Sequence, residues 1–237
     1  MKRFWDHATA ERVENGFEIR LDGKPMRLPG GGPLVVRSEP LAQAIAAEWD
    51  AAGGGKGGEM SFNDTPLTRV AGTAQGRVAP DPDPIIDAIA RYGESDLLCY
   101  RAEAPEELAE RQAAQWQPWL DWVGSAHGAS LRVTTGVAFV RQHHDAVQAL
   151  RQAVAAYDAD TLAGLGIAVP ALGSLVLGLA LAAGELDAAT AHGLATLDEA
   201  FQTEQWGEDP EAAERRASVA ADIRLAERYI CLTRGEG

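Results

Sequence analysis

Phe-Glu-Ile-Arg-Leu-Asp-Gly-Lys-Pro-Met-Arg-Leu, residues 17–28, decides how the chain begins. Phe17, Ile19 and Leu21 alternate with polar residues, as do Met26 and Leu28, and Asp22-Gly23 falls between the two runs. A tight primed turn needs two residues that tolerate positive φ, so this pattern predicts a β-hairpin. Gly30-Gly31-Gly32-Pro33 reads as a loop and Leu34-Val35-Val36 as a third short strand. A helix comes next. Ser38 is its N-cap, Pro40 lies in its first turn, and Leu41, Ile45 and Trp49 form its buried stripe. The run Gly53 to Gly58 superficially resembles a phosphate-binding loop. It lacks a Ser/Thr after its lysine and comes after a helix instead of a strand, so it is read as a flexible connection.

Beyond this point the periodicity changes from two to about 3.6. Pro66-Leu67-Thr68-Arg69-Val70 begins a short helix, and Asp81-Pro82-Asp83-Pro84 punctuates the chain before a helix with Ile85, Ile86, Ile89 and Tyr92. Pro105-Glu106-Glu107 is a helix start, with proline early and carboxylates at the positive end of the dipole. Leu108, Gln112, Gln115, Trp119 and Val123 are expected on one side of that helix, with Trp116, Trp119 and Trp122 clustered along another. Leu131 to Val140 is read as extended segments or a structured loop. Helices are then expected over about 145–157, over 170–183 with Pro170 in its first turn, from the Asp187 cap through Phe201, and from Asp209-Pro210 onward. The fold class is therefore α+β. A small N-terminal antiparallel β-rich domain, residues 1–80, precedes a larger helical domain, residues 81–237.

Composition narrows the function. The chain has 237 residues, 46% hydrophobic, with a formal net charge of −14. Such an acidic chain repels nucleic acid and anionic membrane surfaces. Cys99 and Cys231 are expected as reduced thiols. Lys2 and Arg3 are not followed by an apolar run, so no secretory signal is expected. Leu165 to Ala183 carries no charge and has about the length of a bilayer span. Pro170 and three glycines dilute it, and a core helix is the preferred reading, with Ser174, Gly178 and Ala182 as a small face for close packing. None of the five histidines has metal-ligand spacing, and no nucleophile elbow or dinucleotide fingerprint is present. No catalytic residue, metal, cofactor or small-molecule substrate is expected.

One stretch is richer than structure alone requires. From Leu197 to Arg216, an apolar helix face ends at Trp206-Gly207, and a new helix starts at Asp209-Pro210. Seven carboxylates surround this junction against two arginines. On a helical wheel Glu199, Gln202 and Trp206 share one face, at i, i+3 and i+7, while Leu194, Leu197 and Phe201 face inward. Glu204 sits at the margin of the inward stripe, where it either locks the corner or touches a partner. The corner is either a structural junction with internal ion pairs or a rigid acidic surface with an aromatic anchor.

Several separated motifs, in order, carry a resemblance. They are Leu-Asp-Gly-Lys-Pro (21–25), Leu-Ala-Gln-Ala-Ile-Ala-Ala-Glu-Trp-Asp (41–50), Pro-Leu-Thr-Arg (66–69), Ser-Asp-Leu-Leu-Cys-Tyr-Arg (95–101) and Gln-Thr-Glu-Gln-Trp-Gly-Glu-Asp (202–209). The chain resembles the assembly chaperones for the alpha subunit of F-type ATP synthase, from about Phe4 to Ile230. Its glycine-rich 53–58 loop and the absence of a proline in Met60-Ser61-Phe62-Asn63 depart from the pattern. The resemblance implies a non-enzymatic role: holding unassembled alpha subunit until the beta subunit takes its place. It further implies a bacterial, cytoplasmic member of a family that acts in the mitochondrial matrix of eukaryotes. It points to Glu199, Glu204 and Glu208, with Trp206 beside them, as partner-binding positions, to which the helical wheel adds Gln202. Two rivals carry distinct expectations. A carboxylate-pair hydrolase at the Glu199/Trp206 corner would need a deep pocket and a glutamate of raised pKa. A membrane-associated assembly factor would use residues 165–183 as its anchor.

Overall fold

The computed structural model describes residues 1–235, which fall into two compact units. The first comprises Met1–Pro82, Asp158–Gly164 and the chain from Arg228. Its sheet is built around β2 (Gly16–Leu21), which pairs antiparallel with β1 (Ala8–Val13), β3 (Lys24–Pro25) and β4 (Val35–Val36). Asp22 and Gly23 take φ of 48° and 75°, the positive pair that a primed hairpin turn requires. The expected hairpin and third strand are present. β1 is additional to them: in Ala-Thr-Ala-Glu-Arg-Val only Ala8 is buried, so the strand has no apolar alternation to reveal it.

Helix α1 (Glu39–Ala51) is capped by Ser38, whose hydroxyl accepts the Leu41 N–H, and it buries Leu41, Ile45 and Trp49 as its spacing predicts. The end of α1 organises the segments packed around it. The Glu48 carboxylate accepts the N–H groups of Leu67 (2.8 Å) and Thr68 (3.3 Å) at the start of α2 (Pro66–Thr73), which has no side-chain cap of its own. Trp49 donates its indole N–H to the Thr68 hydroxyl (2.8 Å) and packs against Trp5. Asp50 accepts the Ala8 N–H (2.9 Å) and so ties β1 to the helix.

The second unit comprises Asp83–Tyr157 and Leu165–Glu227. Its elements are α3 (Asp83–Ala90), β5 (Tyr100–Arg101), α4 (Glu106–His127), β6 (Thr134–Thr135), α5 (His144–Ala155), α6 (Ala159–Leu172), α7 (Leu175–Ala183), α8 (Ala188–Ala195), α9 (Leu197–Trp206) and α10 (Pro210–Thr233). The first residues of α6 and the last of α10 belong to the first unit. The unit is helical except for β5 and β6, which pair in parallel over two residues. The α+β class stands.

Three expectations need correction. The helix expected over 170–183 is two helices, broken at Gly173 (φ 62°), and Pro170 lies inside the end of α6 instead of opening the next helix. The true start signal is Ser174, whose hydroxyl accepts the Leu177 N–H at 3.1 Å. Among the described residues no helix is long and apolar enough to cross a membrane. The helix expected from Asp187 through Phe201 is also two, interrupted at Thr196, although Ala191, Leu194, Leu197 and Phe201 are all buried as expected. On α4 the buried stripe is Leu108, Gln112, Trp116, Leu120 and Val123. Gln115 is exposed and Trp119 only half-buried, because the stripe keeps to an i, i+4 ridge from Leu108 to Leu120.

α7 is the core of this unit, buried from Leu175 to Ala182 on every side. Its N-terminus is held by Asp96, which is fully buried and accepts hydrogen bonds from the Ser174 hydroxyl (2.8 Å) and the Val176 N–H (2.9 Å), and from the Leu98 N–H (3.1 Å). Burial nonetheless pushes this carboxyl up to about 6. On the same helix, a Cβ placed on Gly178 would overlap the Val169 side chain of α6, so the two helices approach where only glycine fits.

Gly178→Ala should therefore destabilise. Helix propensity favours alanine by about 1 kcal/mol, but overpacking costs about 1–3 kcal/mol. A lowered urea midpoint is the expected outcome. For Asp96, the folded chain takes up its proton before the unfolded chain, whose carboxyl keeps the ordinary value of 3.8. Its contribution to stability thus grows as pH falls from 6 towards 4, by at most about 1.4 kcal/mol per pH unit. Urea titrations at pH 7, 5.5 and 4.5 should show the native chain gaining on Asp96→Asn. A gap that does not change with pH would mean an unshifted carboxyl.

Candidate functional site

The acidic corner is built on α9 and the turn into α10. Leu197 and Phe201 fix α9 inward, so the opposite face is exposed by geometry. Glu199, Gln202 and Trp206 lie on that exposed face, and the Trp206 side chain is 80% exposed. Gly207 ends the helix with φ 87° and ψ 171°, donating its N–H to the Thr203 carbonyl (2.9 Å). This is an extended positive-φ residue rather than the left-handed cap that a glycine in this place usually adopts. The Asp209 carboxylate then accepts the N–H groups of Glu211 and Ala212 and starts α10.

The five residues singled out in the sequence divide into two groups. Glu204 and Glu208 are engaged within the protein. Arg111 of α4 donates through Nη1 to both oxygens of Glu204 (2.8 and 2.9 Å), and its guanidinium lies over the Phe201 ring at 5.1 Å. The hydrogen bond and charge of Arg111 hold the Glu204 carboxyl below the usual glutamate value. Glu208 accepts from Arg216 at 3.1 Å, and Arg216 also donates to the Thr203 hydroxyl at 3.0 Å. Glu199, Gln202 and Trp206 have no side-chain partner among the described residues. As a structural junction the corner would pair Glu199 and Glu204 with Arg215, Arg216 or neighbouring arginines; the structure instead supplies Glu204 with Arg111, 93 residues upstream.

Gln112 stands on the α4 stripe in the sequence with nothing local to show its use. It is almost fully buried. Its amide oxygen accepts the Ala102 N–H (2.7 Å), its amide nitrogen donates to Asp198 at the start of α9 (2.7 Å), and its carbonyl accepts from Arg101. Trp116, one turn further along α4, donates its indole N–H to the Leu194 carbonyl (2.9 Å). With the Arg111–Glu204 pair, α4 is bonded twice to α9 and once to the preceding helix α8. A polar residue within an apolar stripe was the available signal. Chemically, the corner offers exposed carboxylates, an amide and an indole. Glu204 is held low by Arg111, the opposite of the raised carboxyl that a hydrolytic acid would need.

The fold places the chain among chaperones. The structure aligns with that of Atp12 from Paracoccus denitrificans with a TM-score of 0.91, covering 98% of both chains at 43% identity. It aligns with the Atu1473 protein of Agrobacterium tumefaciens with a TM-score of 0.89 at 41% identity, covering 97% of this chain and 85% of that one. The mitochondrial protein atp12 of Schizosaccharomyces pombe is 26% identical over 222 residues, which is 90% of this chain and 76% of the yeast protein. The sequence profile described as ATP12 chaperone protein matches residues 2–124. The chain belongs to the ATP12 chaperone family, a family of ATP synthase assembly factors.

Gln112→Leu, which keeps the volume and removes the amide, should cost about 1 kcal/mol, because the half-buried Ala102 N–H and Asp198 lose their partner. Urea denaturation measures the loss. A cost below about 0.5 kcal/mol, the size typical of surface changes, would show that the amide does not hold α9.

Proposed function

We propose that this protein binds the unassembled alpha subunit of F-type ATP synthase and masks its interface until the beta subunit replaces it. The observation that carries the proposal is Trp206, a large indole held 80% exposed on a helix whose other face is locked. An exposed tryptophan on a rigid, preorganised surface is the type of residue that dominates protein–protein affinity. Glu199 and Gln202, without internal partners, supply register against a basic client surface. Glu204 and Glu208 hold the corner together through Arg111 and Arg216 and present their remaining exposed edge beside it.

A free alpha subunit exposes an apolar face that would otherwise self-associate. Covering that face needs no chemistry, and release needs only that beta bind more strongly, so neither ATP nor a metal enters the cycle. The site of action in this reading is the bacterial cytoplasm, with the mitochondrial matrix as its counterpart in eukaryotic relatives.

Binding of purified alpha subunit tests the proposal. Trp206→Ala should weaken the complex by about 2 kcal/mol, or roughly 30-fold. Glu199→Lys should weaken it about tenfold, with the thermal midpoint changed by no more than about 2 °C. Affinity unchanged in both variants would remove the corner from the mechanism.

A further inference from the structure

Trp206 is not the only large apolar side chain that the second unit exposes. Val133, Val137 and Phe139, on and beside the segment joining β6 to α5, are 42%, 101% and 67% exposed. A solvated apolar tip is ordinary on a floppy loop, but this loop is fastened at three places. Gln142, itself buried, accepts the Arg132 N–H (2.7 Å) and donates to the Arg132 carbonyl (3.0 Å), closing the loop at its base. Thr134 and Thr135 pair with Tyr100 and Arg101. The Gly136 N–H donates to the Arg101 carbonyl (2.8 Å), and at φ 79° a Cβ there would press on the Glu103 carboxylate. The chain is thereby turned outward just before Val137. The entropy of holding apolar groups in water has been spent in advance, as it is in a preorganised binding loop.

The loop and α9 are both anchored on the N-terminal half of α4. Residues of increasing number on α8 and α9 meet residues of decreasing number on α4: Leu194 meets Trp116, Asp198 meets Gln112, and Glu204 meets Arg111. α9 therefore runs antiparallel to α4 and ends, at Trp206, towards the α4 N-terminus. β5 and Glu103 lead into that same N-terminus, and β6 lies on β5. Gln112 touches both sides of the arrangement, through Ala102 and Asp198.

Charge differs across this surface. Arg132 and Arg141 flank the loop, are exposed, and have no carboxylate partner among the described residues, although the chain as a whole carries −14. Glu199, on the α9 side, has no cationic partner among them. From this juxtaposition we infer that the Val133–Phe139 loop is the second half of the client-binding surface, seating an apolar client segment that carries an acidic side chain, while the α9 face takes a basic one. The inference rests on the proposed binding of the alpha subunit and assigns it a second contact.

The test uses the full-length chain and purified alpha subunit. The double variant Val137→Ser/Phe139→Ser should bind at least about tenfold more weakly, Arg141→Glu several-fold more weakly, and both should keep the native thermal midpoint because all three side chains are exposed. A photo-crosslinking residue at position 137 should form an adduct with alpha subunit, and one at exposed Gln43 of α1 should not. If the native chain binds alpha subunit, Glu199→Lys weakens it, and the loop variants do not, the corner stands and the loop contact is overturned. If the native chain does not bind alpha subunit, the functional proposal fails and this inference with it. If the loop variants bind alpha subunit normally but lose flotation with phosphatidylglycerol vesicles, the loop is a membrane contact and the inference is overturned.

Discussion

The buried amide of Gln112 is the constraint on which the second unit's surface depends. An unpaired amide in that position would cost about 1–3 kcal/mol, so its two ends dictate which groups sit beside it. One end fixes the backbone at Ala102, and with it β5 and the parallel strand β6. The other fixes Asp198 at the start of α9. A side chain of ordinary length thus sets the spacing of two segments far apart in the chain. The exposed groups beyond each segment, Phe139 on one and Trp206 on the other, inherit that spacing. In the proposed function such a surface would bind without a large ordering cost.

The acidic composition of the corner is divided by local electrostatics. Two of its glutamates neutralise arginines arriving from α4 and α10, and their carboxylates serve the geometry as well as the surface. Glu199 is not used in this way. Seven carboxylates near one junction are therefore not a uniform negative patch. They form a braced corner with a free edge, and the free edge coincides with the exposed indole. Glu199, Glu204 and Glu208 are all exposed to water.

Much of this was legible in the sequence wherever the cause was local. Asp22-Gly23 announced its turn, Ser38 its cap, and Pro105-Glu106-Glu107 its helix, because each depends on backbone chemistry within a few residues. The inward set Leu194, Leu197 and Phe201 survived even though Thr196 breaks the helix between them, since burial follows spacing more than hydrogen bonding. The failures were non-local. The break at Gly173 has a local cap in Ser174, but what holds that cap is Asp96, far upstream, and Pro170 alone misled. Arg111 could not be matched to Glu204 without the antiparallel packing of α4 and α9. The motif Glu48-Trp49-Asp50 has its reason in three dimensions: its side chains hold α2 and β1. The exposure of the 131–140 loop was not legible, because Leu131, Val133, Val137 and Phe139 keep the two-residue spacing of a half-buried strand, and because its clasp, Gln142, lies outside it.

Hydrogen–deuterium exchange on the chaperone, free and saturated with alpha subunit, addresses the central claim most directly. The account predicts slowed exchange in two separate peptides, one across residues 199–206 and one across 132–141, with little change in β1 to β4. Protection confined to the N-terminal sheet and α1, with both of these segments unchanged, would contradict it.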